Sequence, residues 1–172
     1  MELTTDQKGA VAELAVAKAA VEAGVGVYVP FGDERADMIL ELGDLLLRTQ
    51  CKWAARTGDV LIVRAYRCRR TAAGLVRRFY DPNEIDVFAA YSPDTGKCYL
   101  IPHAEAPPRG AIALRLSATK NNQERRIRWA KDYEFDATLK RLGAIAQLGE
   151  RLDGIQKVAG SSPAGSTSEA AR

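Results

Sequence analysis

An acid, an amide and a lysine stand where a β-hairpin would bring them together. Asp37 opens one apolar segment, and Gln50 and Lys52 close the next. Side chains alternate along a strand, so Gln50 and Lys52 share a face while Cys51 points away. A turn at 43–44 (Gly-Asp) sets Asp37 opposite about position 50. The spacing predicts a carboxylate, an amide oxygen and an ammonium group on one face of a sheet.

These groups suit phosphodiester hydrolysis. Carboxylate and amide oxygens are ligands that Mg²⁺ prefers. A Mg²⁺ held by few protein groups keeps waters, one of which can attack phosphorus, and Lys52 can stabilise the developing charge or help to deprotonate that water. Glu13, one helix turn from Gly9, could add a second carboxylate. The alternative is an ordinary set of surface side chains, and for the Asp-Gln-Lys spacing taken alone it is the commoner outcome.

Two basic segments, one from Arg64 to Arg78 and the other from Lys120 to Arg128, predict a phosphate-binding surface. Both are rich in arginine and nearly free of acids, and aromatic side chains are interleaved with them. Such segments are typical of nucleic-acid-binding surfaces, whereas mixed Lys/Glu faces are usually only solvated. The candidate DNA-binding residues are Arg64, Arg67, Arg69, Arg70, Arg77, Arg78, Lys120, Asn121, Arg125, Arg126 and Arg128.

Composition excludes several other chemistries. The 172 residues contain one His and three Cys, and the net charge is only +3. A multi-His zinc site or a Ser-His-Asp triad would have to pass through His103, which we expect to be a surface residue. No CxxC pair is present, so zinc ribbons are excluded and a reducing cytosol is expected. No apolar run approaches the roughly 20 residues of a membrane span.

The predicted elements are a helix, then several strands, then a second helix. Thr4 to Ala23 reads as a helix, with a capping box from Thr4 and Gln7 and an apolar face of Val11, Leu14 and Val21. A second helix is predicted from Asn121 or Asn122 to about Tyr133. Strands are predicted at 25–29, 36–42, 45–53, 60–66, 85–91, 98–101 and 111–116. This order predicts an α/β or α+β layer fold with a mixed sheet flanked by helices.

The C-terminal part differs from the rest of the chain. We predict a domain over 1–140 and a mostly disordered tail over 141–172, because the tail is rich in Gly and Ser and has no aromatic residue. Residues 143–167 also match a transfer-RNA gene translated in frame, with complementary codon choices at the two ends. The alternative interpretation is an ordinary linker rich in Gly and Ser. The overlap predicts a transfer-RNA gene at the 3′ end of the coding sequence.

These residues in this order resemble the PD-(D/E)XK nucleases, and within them the bacterial group I intron homing endonucleases found in transfer-RNA genes. The likeness covers about residues 7 to 135. The matching positions are Lys8-Gly9, Ala12-Glu13, Val25 to Pro30, Gly32-Asp33, Arg35, Asp37, Gln50-x-Lys52, Ile85 to Pro93, Tyr99 to Pro102, Leu116 and Lys120 to Gln123.

The resemblance implies a restriction-endonuclease-like core and a Mg²⁺-dependent endonuclease, with Mn²⁺ as a substitute, acting on double-stranded DNA. It implies catalytic roles for Asp37, Gln50, Lys52 and Glu13, with Asp37, Gln50 and Glu13 on the metal. The homing subgroup shares the Gln where other nucleases carry an acid. Members of that subgroup are multimers, which implies a homo-oligomer, a dimer or a tetramer. A bacterial, cytoplasmic, nucleoid-associated protein is expected, with no membrane partner.

Three other functions stay open at this point. The chain could be a structure-specific nuclease that acts on Holliday junctions, a DNA-binding protein that has lost catalysis, or an RNA nuclease. For Asp86 at the start of a buried strand, a cap or a pair with an Arg near the sheet edge is favoured over a role in the site.

Overall fold

The computed structural model describes residues 2–32, 34–72, 74–118 and 124–145, apart from the side chains of Arg69 and Arg70. The predicted tail from 146 onward therefore lies outside the described residues. Residues 135–145 are helical and form α2. The predicted domain boundary at 140 falls within α2 and stays a prediction.

The first helix, α1, spans Thr5–Glu22. Its start is the predicted capping box: the Gln7 backbone N–H donates to the Thr4 hydroxyl at 3.2 Å, and the Thr4 N–H donates to the Gln7 side chain at 2.9 Å. The helix stops before Gly24, whose φ of +73° is a left-handed conformation that favours glycine. Both helix ends were thus correctly predicted.

The face of α1 that enters the core was wrongly predicted. Leu14 and Val21 are 71% and 66% exposed, whereas Ala12, Val16 and Ala20 are fully buried against the sheet. Small side chains let the helix backbone approach the strands closely, so alanines line the contact. Hydropathy places large apolar residues inside and cannot detect a close contact made by alanine.

The observed buried face of α1 leads to a prediction about stability. Ala20→Leu should lower the free energy of unfolding by about 1–3 kcal/mol, because the added atoms meet a packed core. Leu14→Ala, on the exposed face, should change it by less than about 0.5 kcal/mol. Urea unfolding followed by circular dichroism measures both. Equal losses in the two variants would contradict the observed face.

Nine strands follow α1 within the described ranges. They are β1 (Gly26–Tyr28), β2 (Met38–Leu42), β3 (Leu45–Thr57), β4 (Val60–Arg64), β5 (Tyr66–Thr71), β6 (Gly74–Phe79), β7 (Val87–Ser92), β8 (Lys97–Pro102) and β9 (Ala111–Arg115). All but β5 and β6 belong to one sheet, in which β3 and β7 run parallel and the other pairs are antiparallel. The predicted mixed sheet is confirmed.

The long strand β3 has three partners in turn. Its first part pairs with β2 as far as Thr49 opposite Met38, and its last part pairs with β4 from Ala54 opposite Val63. Between them, residues 50–53 pair with β7 alone. One edge of β3 is thus without a strand neighbour at 50–53, and this gap holds Gln50 and Lys52.

Strands β5 and β6 form a separate two-stranded sheet that was not predicted. Tyr66 pairs with Phe79, and Arg67 pairs with Arg78. The arginines interrupt the alternation of apolar and polar residues that indicates a strand, so the sequence did not predict these two strands. The first arginine-rich segment therefore lies mostly on a β-hairpin.

The helix predicted as far as Tyr133 is wrong over 124–129, which form a turn and an extended segment. Arg126 has a left-handed φ of +61°, which interrupts a helix. The Arg115 N–H donates to the Arg128 carbonyl at 2.8 Å, so the chain runs beside β9 instead. A short 3₁₀ helix follows at Ala130–Tyr133, and another lies at His103–Glu105.

The sheet packs on both faces. One face carries Met38, Leu40 and Leu47 against α1 and α2. The other carries Phe88, Tyr99 and their neighbours, with Tyr80 and Tyr133 over them. Neither α1 nor any other helix in the described parts is long and apolar enough to cross a membrane.

Candidate active site

The centre of the site is the Asp37 carboxylate, which lies at the gap in β3. The Asp37 N–H donates to the Thr49 carbonyl at 2.9 Å, extending the β2–β3 ladder by one residue. Its Oδ2 then accepts the Cys51 N–H at 2.7 Å, where a neighbouring strand would otherwise supply a carbonyl. A missing ladder partner is thus replaced by a carboxylate, which holds Asp37 rigidly.

Gln50 is 93% buried and donates a hydrogen bond from its side-chain amide to Asp37 Oδ2. The predicted register is therefore correct, and Asp37 and Gln50 are in direct contact. Burial raises the pKa of Asp37, and the Cys51 N–H and the Lys52 charge lower it in part. The site thus holds a desolvated carboxylate that a cation would stabilise.

Lys52 lies on the same face as Gln50 and is half-buried. Its Nζ donates to the Tyr80 hydroxyl at 2.9 Å. Burial lowers the pKa of Lys52 to about 8, although the nearby Asp37 opposes the shift. The predicted Asp-Gln-Lys cluster is present, with a tyrosine added to it.

Glu13 lies on α1, near enough to Asp37 for the two charges to interact. Its pKa is raised by partial burial and then by the negative charge of Asp37. Two carboxylates that disfavour each other's charge are a common feature of cation sites, because a bound cation relieves the repulsion. The structure therefore brings the fourth predicted residue to the same place.

These donors fit a hard divalent cation. In the described part of the chain, no three His, Cys, Asp or Glu side chains group as a metal site. The oxygen donors are instead the Asp37 carboxylate, the Gln50 amide that contacts it, and the Glu13 carboxylate, whose charge interacts with that of Asp37. Gln50 now turns its amide nitrogen to Asp37, and a half-turn of that amide would present its oxygen.

A loop between β6 and β7 closes one side of the site. Glu84 accepts two hydrogen bonds from Arg35, at 2.9 and 3.0 Å, and one from Arg78 at 2.9 Å. These hydrogen bonds, of which the one from Arg35 has the largest effect, lower the pKa of Glu84 to about 2. Glu84 therefore ties the β1–β2 connection to the β5–β6 hairpin across the site.

Asp86 has the predicted structural role. It accepts from the Arg48 guanidinium at 2.7 and 2.9 Å and from the Arg48 N–H at 2.8 Å. The expectation for His103 was wrong, because its ring stacks on Phe88 at 5.8 Å and its Nε2 lies 3.0 Å from the Tyr80 carbonyl.

The predicted DNA-binding residues have different environments. Arg67 lies close enough to Asp37 and Lys52 to lower the pKa of both. Arg64 is exposed at the end of β4, and Arg77 lies over the Tyr66 ring at 5.1 Å. Arg78 binds Glu84, as described above. The hairpin arginines thus extend from the Asp-Gln-Lys cluster to solvent.

The second basic segment is only partly described. Arg125 and Arg126 are exposed, whereas the Arg128 guanidinium donates to the Glu105 carbonyl at 2.8 and 3.1 Å and supports the fold. Lys120 and Asn121 lie outside the described residues, as do the side chains of Arg69 and Arg70. The DNA-binding role of these four stays a prediction.

Sequence reasoning missed Tyr80 and the Arg35–Glu84 pair. Tyr80 comes many residues after Lys52, and the pair joins positions far apart in the chain. No local spacing links them. A lone Tyr after an arginine-rich strand was the only signal, and it read equally well as a base-stacking residue.

Comparisons with known proteins identify the family of this chain and support its fold. A sequence profile of the family described as PD-(D/E)XK endonuclease matches residues 3–136, most of the chain. The chain belongs to the PD-(D/E)XK endonuclease family. The match includes α1, the β2–β3 hairpin and the loop around Glu84, so every catalytic candidate of this endonuclease lies inside it.

A solved structure supports the fold of this PD-(D/E)XK endonuclease. The chain is similar to the bacterial homing endonuclease I-Ssp6803I, with a TM-score of 0.66 and 24% sequence identity, over 87% of this chain and 97% of that one. The restriction-endonuclease-like architecture expected from the sequence is thus confirmed. No curated protein matches the sequence.

Proposed function

We propose that this PD-(D/E)XK endonuclease is a Mg²⁺-dependent enzyme that cuts double-stranded DNA at a specific site, as a homing endonuclease does. Mn²⁺ is proposed as a substitute for Mg²⁺. The observation that carries the proposal is the convergence of Asp37, Gln50 and Lys52 at the gap in β3, with Glu13 opposite them.

Each of these residues has a distinct task. Asp37, Gln50 and Glu13 would hold the cation, which supplies charge stabilisation and an acidified water when bound. The Cys51 N–H keeps Asp37 in place. Lys52 stabilises negative charge on the phosphate or takes a proton from the attacking water. An amide at Gln50 removes one negative charge from the usual ligand set, so Glu13 supplies the second carboxylate.

The β5–β6 hairpin supports a DNA substrate. Arg67 and Arg78 extend from the site along this hairpin, and Arg77 is exposed beside them. A two-stranded ribbon is narrow enough to enter the major groove, and arginines at its base would contact the phosphates. The DNA would then cross the site with its backbone over Lys52.

A long or two-fold symmetric target needs more than one active site. We therefore propose a homo-oligomer, a dimer or a tetramer, to be measured by sedimentation equilibrium. A chromosomal target, with a transfer-RNA gene expected to overlap codons 143–167, fits a mobile element acting in the bacterial cytoplasm at the nucleoid.

Digestion of bacterial genomic DNA, followed by sequencing of the ends, tests the proposal. We expect recurrent double-strand ends at one or a few sites in Mg²⁺ or Mn²⁺ and none in EDTA. Branched duplexes and RNA are run in parallel. Cutting confined to junctions or to RNA would contradict a homing role. Tight, salt-sensitive binding with no cleavage in either metal would favour a DNA-binding protein that has lost catalysis.

A further inference from the structure

The Tyr80 hydroxyl is a direct hydrogen-bond partner of the Lys52 amino group. The Tyr80 side chain is 92% buried, and its hydroxyl lies 2.9 Å from Lys52 Nζ. The Nζ is 4.8 Å from the ring centroid, so it sits at the hydroxyl end of the ring and not over its centre. The contact is therefore a hydrogen bond first, with a small contribution from the ring.

The tyrosine is held from several sides. Its ring meets Phe88 edge-on at 5.6 Å, and the Arg35 guanidinium lies 5.5 Å from its centroid. The Tyr80 carbonyl contacts His103, and the next residue, Asp81, donates its N–H to Glu84 at 3.2 Å. Tyr80 is thus more rigid than a lysine, which has four rotatable bonds.

A rigid acceptor changes what Lys52 can do. A free lysine samples many rotamers and loses side-chain entropy when it is ordered. The Tyr80 hydroxyl takes one N–H of the ammonium and fixes the Nζ position. The other two N–H bonds of the ammonium stay available to a bound phosphate. Burial raises the pKa of Tyr80 to about 12, so its hydroxyl stays neutral beside the ammonium.

We propose that Tyr80 is a positioning residue that holds the Lys52 amino group for cleavage. This inference rests on the proposed function, because Lys52 must act in the reaction. Tyr80 itself need not touch the DNA. Its effect should therefore fall on the rate of cleavage and not on DNA binding.

The test compares Tyr80→Phe with Tyr133→Phe, which removes a hydroxyl from another tyrosine that is equally buried and donates a hydrogen bond to Glu105 at 2.7 Å. Tyr80→Phe should slow single-turnover cleavage about tenfold, the worth of one hydrogen bond, with an unchanged Kd for the duplex in EDTA. Tyr133→Phe should cut at the wild-type rate. A Tyr80→Phe rate equal to wild type, or an equal loss of binding and rate, would overturn the inference.

A second measurement needs neither metal nor DNA. The Lys52 Cε and Nζ resonances, assigned by their loss in Lys52→Arg, should shift in Tyr80→Phe and stay in place in Tyr133→Phe. In the wild-type protein, a nuclear Overhauser effect should join the Lys52 Hε protons to the Tyr80 ring, whatever the fate of the variants. Its absence would overturn the inference. If the wild type cuts nothing, the proposed function fails, while these spectra still decide whether Tyr80 holds Lys52.

Discussion

Lys52→Met should lower the cleavage rate by about 10²–10⁴-fold and leave DNA binding intact. Methionine has nearly the shape of lysine, so it fills the half-buried position beside Tyr80 and removes only the ammonium group. Burial of the ammonium charge is unfavourable. The free energy of unfolding of the variant should therefore equal or exceed that of the wild type. Single-turnover cleavage, duplex binding in EDTA and urea unfolding measure these three quantities.

The matched control is Lys97→Met. Lys97 is an exposed lysine that pairs with Glu134 at 2.6 Å on the surface. This variant should cut at the wild-type rate, which separates loss of one specific ammonium from loss of any positive charge. Lys52→Arg should not restore activity, because a forked guanidinium cannot occupy the position of a compact ammonium. Cleavage by Lys52→Met within tenfold of wild type would exclude Lys52 from the reaction.

Asp37→Asn should abolish cleavage and also the response of the protein to metal. The carboxylate is desolvated and sits beside Glu13, so its charge is unfavourable until a cation binds. Asparagine has the same shape, and its oxygen can still accept the Cys51 N–H. The metal-free variant should therefore melt at or above the wild-type temperature. Wild type should gain thermal stability with added Mg²⁺ or Mn²⁺, and Asp37→Asn should gain none.

Differential scanning fluorimetry across a metal titration gives this result without any DNA. Asp44→Asn serves as the control, since Asp44 lies in the β2–β3 turn at the other end of the hairpin. It should keep both cleavage and the metal response. A metal-dependent rise in melting temperature that survives in Asp37→Asn would place the cation elsewhere.

The Asp-Gln-Lys cluster was predictable because it depends on local geometry. Two strands joined by a two-residue turn have a register that the turn sets, and alternation then decides which side chains share a face. Asp37 and Gln50 therefore meet wherever this hairpin forms. The start of α1 was predictable for the same reason, since its capping box spans only Thr4 to Gln7.

Other features depended on contacts between distant segments. The buried face of α1 follows from close packing against β3 and β7, which favours Ala12 and Ala20 over the larger Leu14. The segment before Tyr133 has helical composition, yet pairing with β9 is the stronger interaction there. Tertiary contacts override local preference in both cases.

The sequence by itself therefore determined that Asp37, Gln50 and Lys52 come together, because a hairpin positions them over a short stretch of chain. Only the tertiary structure decided what surrounds them. Tyr80 reaches Lys52, and Glu84 reaches Arg35, from segments whose approach depends on the whole sheet. The gap in β3 likewise exists only once β2, β4 and β7 have all paired with that strand.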